Sequence, residues 1–301
     1  LWRSMPLATR IYRRDAVPLL QFLIMTDKAH RILLLLIAAM VVTPVFFSCI
    51  GQKEDPEETV VPEEDPEDGS MDSGTRFFRR TLALDFTASW CQYCPEMTLA
   101  LKEAKQERPG RLVEICIHQN DEMGCKASDA VVKEFKVSAW PSMVFDLDHS
   151  TKFSEHSSGK MISYVDSKTG DAPGVSVFSS IEGSTLSGEI RFTPAEDGEY
   201  CVGAVLVEDG IVASQMGAGE NYVNNAVLRE ILLGEDIFGE SVGKVSKGEE
   251  KVKSFISKTV SPKADLRIVA YVMLKVDSKT TVINAEQCPA GEDKGYRYEK
   301  D

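Results

Sequence analysis

The chain has 301 residues, 43% of them hydrophobic, which is enough apolar material for folded cores in about two average domains. A wholly disordered protein is therefore excluded. The formal charge is −13 overall and −17 from Cys49 onward, because residues 1–48 carry six bases and two acids. A body this acidic repels phosphate backbones, which excludes nucleic acid as a partner.

Residues 25–48 have the pattern of a secretory signal peptide. A short basic segment is followed by an apolar run from Ile32 to Phe47 and then by the small residue Ser48. Cys49 comes next and resembles the lipidated cysteine of bacterial lipoproteins, whose thiol is diacylated. We therefore expect export and attachment to a membrane through Cys49. The alternative is an uncleaved anchor, since residues 32–51 are uncharged and about long enough to span a bilayer.

Two flanking segments are expected to have no fold of their own. Residues 1–24 precede Met25 and begin with leucine, so we interpret them as an over-extended reading frame. Residues 49–75 contain ten acids and three prolines, which predicts a disordered, self-repelling tether. Its acidic stretch resembles the surface-export signal of some Gram-negative outer-membrane lipoproteins, and a plain spacer is the alternative.

Residues 76–170 are predicted to form an α/β domain. The apolar runs predict strands at Leu82–Phe86, Arg111–His118 and Ser142–Leu147, and the composition predicts helices from Cys91 to Lys105 and from Ser128 to Lys136. Strands that alternate with helices indicate a sheet with parallel crossovers.

A CxxC motif, Cys91 to Cys94, lies where the first strand meets the first helix. A cysteine at a helix N-terminus has a lowered pKa, so its thiolate can attack a disulfide at neutral pH. The second cysteine can then release the mixed disulfide. Half of a zinc site has the same spacing, but the chain has no second CxxC, and we expect neither a metal nor another cofactor.

Together with the CxxC motif, Trp90, Asp85 and Pro141 make this region resemble a thioredoxin-fold domain. Trp90 precedes the first cysteine, Asp85 lies six residues before it, and Pro141 opens the third strand. The resemblance implies that Asp85 accepts the proton of the resolving thiol, that Trp90 shields the pair, and that Pro141 is cis and docks the substrate peptide.

Two features depart from the family pattern. Gln92 and Tyr93 stand between the cysteines where a reducing thioredoxin has Gly-Pro, so the redox potential is left open. Trp140 is bulkier than the usual residue before the proline. It either narrows the peptide groove or serves as a docking platform.

Four further cysteines suggest structural disulfides in an oxidising compartment. The predicted pairs are Cys116 with Cys125, and Cys201 with Cys288. The alternative for Cys116 is a small buried hydrophobic residue. We expect His118, a single histidine at a strand end, to be a hydrogen-bonded structural residue, and the alternative is a copper ligand together with Cys91, Cys94 or Cys125.

Residues 171–301 are predicted to form an all-β, immunoglobulin-like sandwich. Strand patterns occur at Thr185–Thr193, Cys201–Val207, Ala226–Leu233, Val252–Val260, Leu266–Val276 and Thr281–Ala285, and residues 277–280 predict a hairpin turn. An amphipathic helix over Val223–Leu233 is the alternative for that segment.

The motif Asn221–Arg229, with the CxxC motif and the lipoprotein signal, resembles the twenty-eight-kilodalton outer-membrane lipoprotein family. The resemblance implies a thioredoxin-like domain joined to a β-sandwich, at the outer membrane on its periplasmic or surface face. Members of that family have been discussed as surface antigens or adhesins.

These patterns predict an exported, lipid-anchored thiol-disulfide oxidoreductase that acts on protein or peptide thiols and disulfides. Cys91 is the predicted nucleophile and Cys94 the resolving cysteine. The alternative is a surface binding protein in which the pair is a static staple. A catalytic Cys91 should be partly exposed, whereas a staple should be buried.

Overall fold

The computed structural model describes residues 74–257, 260–261 and 263–300. The predicted leader, the signal peptide with Cys49 and nearly all of the predicted tether lie outside these residues. Among the described residues, no helix combines the length and hydropathy needed to cross a bilayer.

Strands and helices alternate in the first part of the described chain. The elements are β1 (Thr81–Thr87), α1 (Cys94–Glu107), β2 (Leu112–His118), α2 (Lys126–Glu134), β3 (Ser142–Phe145), a 3-10 turn (His149–Thr151) and α3 (Ser158–Asp166). β1 pairs parallel with β2 and antiparallel with β3. The predicted strands and the first two helices are present, whereas α3 was not predicted.

The second part is built from strands. They are β4 (Gly174–Glu182), β5 (Thr185–Thr193), β6 (Gly198–Asp209), β7 (Ile211–Gln215), β8 (Gly219–Asn224), β9 (Val227–Leu233), β10 (Glu240–Val245), β11 (Lys251–Ser257), β12 (Asp265–Val276), β13 (Lys279–Pro289) and β14 (Asp293–Lys294). The alternative of a helix from Val223 to Leu233 is wrong, because β8 and β9 occupy this segment. The predicted hairpin joins β12 to β13.

The largest sheet contains strands from both parts of the chain. Its order is β13-β12-β6-β9-β2-β1-β3, with β10 also paired to β6. The junction is between β2 and β9, where the Cys116 amide donates to the Ala226 carbonyl at 2.7 Å. A second sheet has the order β11-β5-β4-β14, and β7 and β8 form a separate hairpin. The predicted fold class, an α/β domain followed by a β region, is confirmed.

Three apolar clusters hold these layers together. The first packs α2 against one face of the large sheet and includes Leu82 and Val144 from the α/β part and Val205 and Tyr271 from the β region. The second fills the space between the large and the four-stranded sheets. The third places α1 and α3 on the opposite face of β1 and β3. Because the first cluster draws on both parts, burial of apolar surface stabilises them together.

Candidate active site

The CxxC cysteines form a disulfide between the loop after β1, which contains Cys91, and the first residue of α1, Cys94. The Cα atoms of Cys91 and Cys94 are 5.5 Å apart. The Cys91 amide donates to the Ala88 carbonyl at 3.0 Å, and α1 begins at Cys94 with Tyr93 as its N-cap. The helix therefore starts three residues later than predicted, so Cys91 precedes the helix N-terminus rather than standing at its first turn.

Both cysteines are buried in the disulfide form. Cys91 is 5% exposed and Cys94 is 1% exposed, and they pack with Ala88 and Trp140. Large apolar side chains nevertheless stand at the surface beside them, since Trp90 is 42% exposed and Tyr93 is 56% exposed. The expected partial exposure of Cys91 is therefore not seen in this oxidised state.

The predicted docking residues lie together at the disulfide. The Trp140–Pro141 peptide bond is cis, as predicted. The Trp140 ring meets the Trp90 ring edge to face, with centroids 5.5 Å apart, and the Trp90 indole donates to the Gln119 carbonyl at 3.1 Å. Pro141 is buried directly before β3. Trp90, Trp140 and Pro141 thus form one side of the site.

Asp121 anchors the loop before the cysteines, a role that the sequence did not suggest. Its carboxylate accepts from the Ser89 amide at 2.7 Å and from the amides of Met123 and Gly124 at 3.0 Å. His118 Nδ1 lies 2.8 Å from the same carboxylate. Burial alone would raise the pKa of Asp121, but these hydrogen bonds outweigh it and lower the pKa. We therefore interpret His118 as a hydrogen-bonded structural residue rather than as a copper ligand.

Asp85 lies buried in β1, on the face of the strand that α1 covers. It is 1% exposed, and neither carboxylate oxygen has a hydrogen-bond partner among the described residues. Burial, and then repulsion from Glu114, raise its pKa well above the usual range for aspartate. Once ionised, a carboxyl group with so raised a pKa is a strong base for its type, which suits it to exchange a proton with a thiol.

Glu114 and Cys116 of β2 stand beside Asp85. One carboxylate oxygen of Asp85, one of Glu114 and the Cys116 sulfur all lie within 4.8 Å of one another. The Cys116 thiol donates to Glu114 Oε1 at 3.0 Å, and Lys105 Nζ lies 2.7 Å from Glu114 Oε2. Tyr222 of β8 also belongs to this environment, where burial raises its pKa to about 12.

This triplet fits proton transfer better than metal binding. Burial and the charge of Glu114 raise the pKa of Cys116 well above its usual value, which disfavours the thiolate that a metal requires. The Lys105 ammonium already compensates the Glu114 carboxylate. We therefore assign no metal to these residues.

The β7–β8 hairpin of the β region closes the other side of the site. Gln215 is 2% exposed, and its side-chain amide donates to the carbonyls of Ala88 at 3.1 Å and Cys91 at 2.9 Å. The Met216 amide donates to the Ser89 carbonyl at 2.8 Å. No local motif in the sequence indicates these contacts, because the two segments are over 120 residues apart.

We expect Gly217→Ala to loosen the hairpin from the CxxC loop. Gly217 has a φ of +88°, and a Cβ atom there would lie 2.4 Å from the Gln92 carbonyl oxygen. The substitution should cost about 1–3 kcal/mol of unfolding free energy, measurable by urea denaturation. Gly219→Ala is the matched control, since Gly219 also has a positive φ but has open space around it. Equal losses in the two variants would contradict the steric explanation.

The two further disulfides predicted from the sequence are absent, and all four cysteines are free thiols. Cys116 faces Glu114 on the α1 side of the sheet, whereas Cys125 packs against the cluster on the α2 side. Cys201 packs against that same cluster, whereas Cys288 belongs to the cluster between the sheets. Each predicted pair is separated by the large sheet, which prevents bond formation.

Comparison with known proteins agrees with this geometry. Residues 78–166 match the thioredoxin family model. This part of the chain is a thioredoxin domain. No curated protein sequence is significantly similar to the chain.

Two solved structures show the extent of the structural similarity. HBP35 of Porphyromonas gingivalis has a TM-score of 0.59 at 16% identity, over 72% of this chain and 77% of that chain. Protein AGR_C_4864 from Agrobacterium tumefaciens has a TM-score of 0.49 at 14% identity, over 70% of this chain and 94% of that chain. The similarity to HBP35 extends beyond the thioredoxin domain into the β region and concerns the fold alone.

Proposed function

We propose that the protein is a thiol-disulfide oxidoreductase that exchanges disulfides with protein or peptide clients through Cys91 and Cys94. The observation that supports it most is the disulfide between these cysteines in a thioredoxin domain, packed against Trp140. The buried Asp85 carboxyl, which lacks a hydrogen-bond partner among the described residues, adds a group suited to proton transfer.

In the reducing direction, the Cys91 thiolate attacks one sulfur of a client disulfide. The client bond breaks, and its other sulfur leaves as a thiolate that takes a proton from water. With Asp85 in its ionised form, Cys94 then gives its proton to that carboxylate and attacks Cys91, and Asp85 afterwards returns the proton to water. The mixed disulfide breaks, the client is released with both sulfurs reduced, and Cys91 and Cys94 are oxidised. The reverse sequence oxidises a client dithiol.

We further propose that the protein acts in the cell envelope, attached to the outer membrane through lipidated Cys49. The support is the order of the sequence: a basic segment, an apolar run, Ser48 and then the cysteine. Metabolic labelling with palmitate tests the anchor, and a label that persists in Cys49→Ser would overturn it.

A surface binding protein with a static disulfide is the second candidate. The burial of Cys91 at 5% exposure favours it, as does the large β region, which would provide a binding surface. In this case the disulfide would only stabilise the loop.

The reduction potential of the Cys91–Cys94 pair separates the two candidates. The full-length protein is equilibrated in glutathione and dithiothreitol buffers, and alkylated thiols are counted by mass. We expect a potential between about −120 and −270 mV, the range of oxidases, isomerases and reductases. A pair that stays oxidised well below about −300 mV would be a structural disulfide and would favour the binding protein.

A further inference from the structure

Met216 is a large apolar residue at the tip of the β7–β8 hairpin, which lies against the CxxC loop. Its side chain is exposed, at 54%, while its backbone amide is held by Ser89. Trp90 and Tyr93 are exposed on the CxxC loop itself. Exposed apolar residues that cluster around a reactive group are typical of an interaction surface rather than of ordinary solvent-facing surface.

Hydrogen bonds and close backbone packing fix the β7–β8 hairpin against the CxxC loop. Gln215, next to Met216, is buried and donates to two carbonyls of the loop, one of them that of Cys91. Gly217, on the other side, brings its backbone against the Gln92 carbonyl. Met216 is therefore fixed at its backbone, while its flexible thioether can adapt to different side chains.

The segments that frame the disulfide carry a formal charge of −2, and Glu96 among them lies 2.8 Å from His156 Nδ1. Residues 88–96 and 211–224 contain two acids, Glu96 and Glu220, and no lysine or arginine. Both glutamates are exposed. The whole chain has a formal charge of −13, so the local charge and the overall charge both attract a basic partner.

We propose that Met216, on the hairpin that is hydrogen-bonded to the CxxC loop, forms the second wall of a client-binding site that also includes Trp90 and Tyr93 of that loop. The occupant is an extended client segment whose cysteine is flanked by a large apolar residue and a basic residue. The hairpin lies outside residues 78–166, so the β region supplies specificity to the chemistry of the thioredoxin domain. This inference rests on the proposed function.

The test measures the rate at which the reduced protein exchanges thiols with three peptide substrates. Each peptide contains one cysteine, which forms a mixed disulfide with glutathione. One has Leu and Lys beside the cysteine, one has Ser and Lys, and one has Leu and Glu. The reduced full-length protein is mixed with each peptide or with glutathione disulfide. Wild type should prefer the Leu-Lys peptide. For each variant we divide the rate of exchange with the Leu-Lys peptide by the rate of exchange with glutathione disulfide. We expect Met216→Ser to lower this ratio about fivefold.

Val212→Ser is the matched control, because Val212 is an equally exposed apolar residue of the same hairpin, away from its tip. It should leave the ratio unchanged. Equal wild-type rates for the three peptides, or an unchanged ratio in Met216→Ser, would overturn the inference while the oxidoreductase remains. If wild type exchanges with no disulfide at all, the proposed function itself fails.

Discussion

Replacing Cys94 with alanine should leave Cys91 joined to clients in mixed disulfides that persist. Cys91 would still attack a client disulfide, but no resolving thiol would remain to release the product. Turnover should fall at least about 10³-fold, since the step that regenerates the enzyme is lost. Non-reducing gels followed by mass spectrometry of the adducts would identify the trapped clients.

Two further variants test this assignment. Cys91→Ala should form no adducts, because the nucleophile is gone. Cys125→Ala removes a free, half-buried thiol outside the pair and should keep its turnover. Adducts of equal amount in Cys91→Ala and Cys94→Ala, or none in either, would show that Cys91 is not the attacking thiol.

Asp85→Asn should make the oxidised protein more stable at pH 8, by on the order of 1–3 kcal/mol. Asp85 is buried without a hydrogen-bond partner among the described residues, and its pKa in the folded state is raised well above the usual value. The unfolded chain loses this proton near pH 4, whereas the folded chain retains it to higher pH. Stability therefore falls as the pH rises from about 4 through the folded pKa, and asparagine removes that loss.

Urea denaturation between pH 3.5 and 8 checks this prediction. The advantage of Asp85→Asn should shrink toward zero below about pH 4, where the carboxyl is neutral in both states. Asp148→Asn is a control for which we expect the opposite change in stability. Burial alone would raise the pKa of Asp148, but hydrogen bonds from Lys279 and Ser150 outweigh burial and lower the pKa. That variant should lose stability at pH 8. A destabilised Asp85→Asn at pH 8 would contradict the assignment.

The same Asp85 variant should exchange disulfides more slowly. Without a carboxylate to accept the proton of Cys94, resolution of the mixed disulfide should slow about 10²-fold. A gain in stability together with a loss of rate would identify Asp85 as a residue kept for chemistry at a cost to the fold. The lifetime of the mixed disulfide, followed by quenching with acid, measures this step.

Long-range packing determines whether the cysteines outside the CxxC motif can form disulfides. Cys116 and Cys125 are nine residues apart in the sequence, which suggested a loop-closing disulfide. In the fold they face opposite sides of the large sheet. Which face a strand residue occupies depends on the register of the whole sheet, and sequence spacing alone does not specify it.

The sequence by itself located the candidate site: the CxxC motif between a strand and a helix, and Asp85 on the preceding strand. These placements follow from local order along the chain, where helix and strand signals are strongest. The cis bond at Pro141 was implied by the resemblance to the thioredoxin fold. Only the tertiary structure decided that β9 extends the sheet at β2 and that Gln215 and Met216 stand beside the disulfide. Such contacts join segments more than 100 residues apart, and they depend on how the complete core packs rather than on any local signal.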